Sequence, residues 1–375
     1  MTIRILAGCF LISLGTIALA DDAPSKADAK PEQTATEPKP TLSPEMAALR
    51  DRVRSVLAAH SRQTFNTRDN SATEILGRCL AFGCETEVSL ESPRGQRING
   101  ITCLCWNYPC AGYNMLGYSR EHIAARIGYG YQEHPGEFLA MLAMSRVPAD
   151  YPVRVGKDER KVSDLVEAEK LGCREGSDKS LALIGLSYYL DEPVWQNDLG
   201  QQWSIERIIE EEIARPILTA PEGGLNRLMG LNYAVERREK EDEPIEGQFE
   251  RAKKYIGEYQ DYALKLQNSD GGWGPHFLAA KSTAGDPAAQ LRATGRVLEW
   301  LALSLPDQRL QDSRVVNSVH YLTRLLGSQR YRWNAPSLNT QEIVSLCHAL
   351  HALAIYNQRV FKPFDAEEKP EPASA

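Results

Sequence analysis

From residue 119 onward the chain alternates between two kinds of helix, and that alternation limits its fold more than any other feature. Half-polar, charged segments run over 162–171, 204–214, 249–266 and 313–326. Each is followed by a segment that is apolar nearly all round: 179–190, 225–235, 288–305 and 341–356. The segments 119–127 and 136–145 read as an earlier pair. A helix with one polar face belongs at a surface, and one apolar on every side has to be enclosed. The pattern therefore predicts outer and inner helices taken in turn. Gly185, Gly230, Gly295 and Ala349 stand on the enclosed class, where small residues let helices crowd together. Start signals agree: Ser204, Ser177-Asp178 and Asp286-Pro287 each precede an apolar or amphipathic run. Strand signals are few, with Tyr151–Val155 the clearest.

Between two of these helices lies Gln267-Asn268-Ser269-Asp270-Gly271-Gly272-Trp273-Gly274. Asp270, Gly271 and Gly272 supply a tight turn. Gln267 can satisfy backbone groups left open at helix ends, and Trp273 can lie across it. A degenerate copy, Leu325 to Gln329 and then Trp333, follows 62 residues after Gln267 without the turn glycines. The motif resembles the QW-type element of the terpenoid-cyclase and protein-prenyltransferase superfamily. That resemblance implies an all-α fold, an α/α toroid of alternating outer and inner helices. It departs from the family pattern at Ala263, where an aromatic or leucine is usual.

The superfamily's chemistries do not carry over with the framework. No D-x-D-D acid motif is present, and aromatic residues make up 8% of the chain, thin for a pocket that stabilises carbocations. The zinc set and cytosolic setting of prenyltransferases do not fit, and Cys84-Glu85-Thr86-Glu87 is not the Cys-Gly-Glu-Gln thioester element. Cys347-His348 resembles the zinc-binding pair of lanthionine cyclases, which are also toroids, but Ala349 replaces the glycine that follows it there.

Residues 1–20 read as an export signal: Arg4, an apolar run from Ile5 to Ile17, and Ala18-Leu19-Ala20 as the cleavage site. Residues 21–44 and 362–375 lack the large apolar side chains needed to bury a core and read as a linker and a tail. The span 45–361 is expected to form one domain, opening with a Cys-rich irregular segment, 45–118. The expected location is extracytoplasmic, periplasmic or secreted, with no membrane span in the mature chain. The formal charge of −7 gives no basic footprint for nucleic acid.

Seven cysteines remain after the signal. Cys79, Cys84, Cys103, Cys105 and Cys110 cluster, and in an oxidising compartment they are candidates for one or two local disulfides. The spacing of Cys103, Cys105 and Cys110 lacks the paired CxxC of a metal site, so neither metal nor cofactor is expected. Cys173 and Cys347 read as inert buried thiols.

The candidate catalytic groups are His134 and Glu137, at the start of an inner helix, and His348 and His351, three apart on another. The plainer roles are capping for the first pair and satisfied core histidines for the second. Arg227, Arg292 and Glu299 stand on apolar helices and must either pair or line a wet cavity. Trp195, Trp203, Trp300 and Trp333 read as packing residues. Two functions follow as expectations: a module binding a small molecule, glycan or protein, or an extracytoplasmic polysaccharide lyase or hydrolase. A zinc-dependent transferase using Cys347 and His348 is a third.

Overall fold

The structure, a computed structural model, describes residues 42–361 except 120, 218–219, 284, 329 and 334–337. The expected signal, most of the linker, the C-terminal tail and Gln329 lie outside the described residues. The linker ends a little earlier than expected. Ser43 accepts a hydrogen bond from the Met46 N–H and caps α1 (Pro44–Ser61).

The helices follow the sequence pattern closely. After α1 come α2 (Ala72–Phe82), α3 (Gly100–Cys105), α4 (Glu137–Met144), α5 (Val162–Gly172), α6 (Ala182–Tyr189) and α7 (Ile205–Ala214). Then follow α8 (Leu225–Lys240), α9 (Gly247–Leu266), α10 (Pro287–Ser304), α11 (Ser313–Ser328), α12 (Arg330–Trp333) and α13 (Thr340–Tyr356). The fold is mainly helical. Among the described residues, no helix is long and apolar enough to cross a membrane.

The apolar helices pack in succession. Helix α2 lies on α4, α4 on α6, α6 on α8, α8 on α10 and α10 on α13; α13 in turn packs on α2. The amphipathic helices lie against them, α5 on α6, α7 on α6 and α8, α9 on α8, and α11 on α10. The opening segment takes part fully, since α2 carries the inner succession on and α1 packs against α11 and α13. Small residues make the α10–α13 crossing possible. A Cβ on Gly295 of α10 would come within 2.9 Å of the Ala349 Cβ on α13.

Four small sheets occupy the connections, which the sequence pattern largely concealed. They are β1 (Phe65–Asn66) with β2 (Glu87–Ser89) and β3 (Arg97–Asn99), then β4 (Leu116–Ser119) with β5 (His122–Ala125). Two further hairpins pair β6 (Pro152–Val155) with β7 (Asp158–Lys161), and β8 (Val194–Gln196) with β9 (Gln202–Ser204). The helix expected at 119–127 is thus corrected to a hairpin, with Leu116 opposite Ala125 and Tyr118 opposite Ile123. Leu116 and Ile123 are buried while Tyr118, Ser119 and His122 are exposed. The short α3 that precedes this hairpin packs on α2.

The Gln267–Gly274 turn clasps helices as its residue types suggested. The Gln267 side-chain amide donates to the carbonyls of Arg314 on α11 (2.8 Å) and Gly271 (3.0 Å). The buried Trp273 indole donates to the Ala263 carbonyl on α9 at 2.8 Å. Asp270 accepts from the Gly272 N–H at 3.0 Å, an Asx turn that accounts for its carboxylate. Trp333, in the weaker copy, is also buried, as are Trp195, Trp203 and Trp300.

Candidate functional site

Glu299 sits in the middle of α10 with no exposed surface. A carboxylate there has to be paired, and α10 and α13 supply the partners. Arg296, one turn earlier, brings Nη1 to 2.7 Å from Glu299 Oε2. His348 Nδ1 lies 2.9 Å from Oε2 and 3.0 Å from Oε1, and His351 Nδ1 lies 2.7 Å from Oε1. The three-residue spacing of the histidines places both rings on the face that meets α10. Burial alone would raise the Glu299 carboxyl, but His348 and Arg296, with hydrogen bonds from both imidazoles, hold it well below the usual carboxylate range. The carboxylate thus faces both Nδ1 atoms, and Arg296 Nη1 also lies 3.1 Å from His348 Nδ1, so His348 is held between an anion and a cation through one ring nitrogen and its Nε2 takes no part in these contacts.

Arg296 also reaches back to the start of α8. Its Nε donates to Glu222 Oε2 at 2.8 Å, and it hydrogen-bonds Asn226 Oδ1. Arg292, one turn earlier on α10, donates from Nη2 to the other Glu222 oxygen at 3.1 Å. Burial would raise the Glu222 carboxyl, but Arg296, His348 and Arg292 bring it down to about 2. Its backbone is unusual. Glu222, Gly223 and Gly224 have φ of 51°, 63° and 80°, three left-handed residues in a row. Such a turn strains a side-chain-bearing residue and suits glycine. At Gly223 and Gly224 a Cβ would also come within 2.7 Å of Phe277 and 2.1 Å of Ile217.

Across from Arg296, the first turn of α4 adds Glu137. Its Oε2 accepts from the Glu133 and His134 N–H groups at 2.6 and 3.2 Å. The capping role is therefore present, carried by the carboxylate. Pro135 does not begin the helix, because Gly136 is the N-cap. Burial raises the Glu137 carboxyl above its ordinary value, against the opposing effect of those amides and of His134.

His134, Glu137, Glu222, Asn226, Arg296 and His348 line one cavity of about 50 Å³. Leu80, Met144, Ile184 and Met229 belong both to its apolar wall and to that of a much larger groove, about 1300 Å³. The groove opens at the C-terminal ends of α2, α4, α6, α8 and α13, and His351, Tyr188, Tyr233, Glu236 and Arg237 are on its surface. The structure thus brings together His134, Glu137, His348, His351 and Glu299, with Arg292 attached through Glu222 from a more exposed position.

Of the two alternatives expected for Arg227, pairing or lining a cavity, it takes the first: it pairs with Glu212 of α7 at 3.1 Å and donates to the Arg215 carbonyl at 2.8 Å. Its place on α8, one residue past Asn226, turns it toward the outer helix.

Three participants escaped the sequence reading: Glu222, Asn226 and Arg296. The signals were a glutamate directly before Gly223-Gly224 at an inner-helix start, and an arginine spaced four after Arg292 and three before Glu299.

All seven described cysteines are thiols: Cys84 is exposed, while Cys79, Cys103, Cys105, Cys110, Cys173 and Cys347 are buried. The Cys110 thiol hydrogen-bonds with Cys103. Burial pushes Cys347 up to about 12. Cys347 packs on Gly77 of α2 while His348 faces Glu299, so the adjacent pair does not converge on one point. Among the described residues, no group of three or more His, Cys, Asp or Glu side chains is placed to hold a metal ion.

No family model, curated protein or solved structure matches this chain.

Proposed function

We propose that the chain is an α/α-toroid enzyme working by general acid/base chemistry, an exported polysaccharide lyase or hydrolase. The toroid reading is supported by the inner helices' succession, with α13 packing back on α2. The export reading rests on residues 1–20 of the sequence. One observation carries the catalytic reading: His348, oriented through Nδ1 by Glu299, shares a cavity with Glu137, whose carboxyl burial raises above its ordinary value. A carboxyl and an imidazole lining one cavity are suited to paired proton transfer. Glu299 is the positioning residue, and Arg296 keeps it ionised.

The cavity holds a water or two rather than a sugar ring. Substrate reaches the pair by displacing the wall shared with the large groove. Two of its four side chains, Met144 and Met229, are unbranched and adaptable.

A second reading, a ligand- or protein-binding module, is supported by the groove itself, whose volume exceeds that of ordinary small-molecule pockets. The zinc-transferase reading has less support, since burial keeps Cys347 protonated and turns it away from His348.

The deciding experiment incubates purified protein with a panel of neutral and acidic polysaccharides and measures new reducing ends and ultraviolet-absorbing unsaturated products. Activity in the wild type should fall by about 10²- to 10⁴-fold in E137Q and in H348Q. No product from any polymer, or product undiminished in both variants, counts against the catalytic reading and favours the binding module.

A further inference from the structure

Glu222 occupies a position built for a carboxylate. Its two oxygens are held separately, Oε1 by Arg292 Nη2 at 3.1 Å and Oε2 by Arg296 Nε at 2.8 Å. The two arginines stand one turn apart on α10, so their guanidinium groups form a cationic fork on one helix face. Arg296 is anchored from behind by Glu299 and Asn226. Arg292 is more exposed and rests beside the Phe277 ring, and among the described residues its Nε has no hydrogen-bond partner. The fork is therefore rigid at its inner prong and has an unmet donor at its outer one.

The carboxylate that fills it is attached by a strained connection. Glu222 has left-handed φ with a side chain, in a run with two glycines. Backbone strain of this kind persists where surrounding contacts over-determine it, and the contacts in question are those with the fork. Glu222 and Arg296 also line the cavity that contains Glu137 and His348.

We propose that the Arg292–Arg296 fork is the recognition site for a carboxylate group of the ligand, and that Glu222 fills it as an internal stand-in while the site is empty. A ligand carboxylate displaces Glu222, and the Pro221–Gly224 turn relaxes as it does so. The ligand class that follows is an acidic molecule or polymer presenting its carboxylate beside the acid/base pair. The inference deepens the catalytic reading and rests on it for the ligand's reaction, but not for its binding.

The test uses Glu222→Gly, which removes the carboxylate while suiting the left-handed backbone. Thermal unfolding of the full chain is followed at pH 7 in rising sodium acetate, against sodium chloride at matched ionic strength. Acetate should raise the Tm of E222G at least about 3 °C more than chloride does, while the wild type, its fork already filled, shows less than about 1 °C of difference. The acetate-specific shift should vanish in R292A/E222G. Equal shifts in the two salts, or an acetate shift that survives in the double variant, would overturn the proposal. A larger shift with inorganic phosphate than with acetate would also overturn it, because the fork would then not select a planar carboxylate. If E222G does not fold, E222Q takes its place in the same comparison, and failure of both to fold even in acetate would show that the stand-in cannot be replaced from solution. None of these readouts needs turnover, so the fork can fail while the acid/base pair still acts on a neutral substrate, and the reverse.

Discussion

Glu212 and Glu299 are both completely buried, and they do different things. Glu212 of α7 receives the Lys179 N–H at 2.9 Å, the Ser180 hydroxyl at 3.0 Å and Arg227 Nε at 3.1 Å, and it also pairs with Arg215. Those partners tie α7 to the approach of α6 and to α8, and none of them lines the two cavities around Glu299. Glu299 is just as enclosed and just as well paired, yet two of its partners are imidazoles with a second nitrogen to spare. One of those rings lines the small cavity and the other the large groove. Buried charge alone does not mark a site. What distinguishes Glu299 is that its partners still have bonding capacity where a ligand could use it.

The sharpest way to break this contrast is to remove both carboxylates. E212A leaves the buried Arg227 without its carboxylate and should lose about 3–5 kcal/mol in denaturant unfolding, whereas E299A should lose less, because Arg296 keeps Glu222. Activity per folded molecule should collapse in E299A and survive in E212A. Equal loss of activity in the two would erase the distinction.

Acid sensitivity comes next. The Glu222 carboxyl is lowered from an ordinary 4.5 to about 2 in the folded state. Stability from this group is therefore fully present above pH 4.5 and is lost as pH falls toward 2. The loss should approach about 3 kcal/mol across that window. E222Q should flatten the slope of unfolding free energy against pH between 4.5 and 2. An unchanged slope would mean that the fork does not hold an ionised carboxylate.

Gly295→Ala tests whether helix proximity positions the site. Its methyl would meet Ala349 at 2.9 Å, so α13 has to move from α10. A destabilisation of about 1–3 kcal/mol is expected from overpacking. Activity should fall further than that loss implies, because Glu299 and the histidines span the same crossing. The smallest effect should come from H351Q, which removes one hydrogen bond to Glu299 and should cost about 1 kcal/mol. Most activity should remain if His348 is the working base; full loss in H351Q with retention in H348Q would move catalysis to the groove.

Much of the helical framework was readable because it rests on periodicity. The segments 204–214, 249–266, 288–305 and 341–356 emerge within a few residues of their expected bounds, since an apolar stripe reports burial directly. The turn within the Gln267–Trp273 clasp was readable for a related reason: Ala263 and Gly271 are local in sequence, whereas the tie to Arg314 on α11 forms only in the fold. Apart from β6, expected at Tyr151–Val155, the hairpin strands were hidden. Strand β7 is exposed at every position, so no alternation marks it. The site was half visible. Glu299, His348 and His351 are conspicuous as charges on apolar helices, whereas Glu222 lies in a turn and acquires meaning only when α10 folds beside it. Arg227 looked as conspicuous as Glu299, and only the direction of its side chain separates a helix tie from a site residue.

The most direct test of the site is the protonation of the His348 ring, read from long-range ¹H–¹⁵N correlations of imidazole-labelled protein at neutral pH. With Glu299 ionised against Nδ1, His348 should carry its proton on Nδ1 and show an unprotonated Nε2, and E299Q should shift that pattern. A His348 ring protonated on Nε2, or one indifferent to E299Q, would contradict the assignment of His348 as an oriented base.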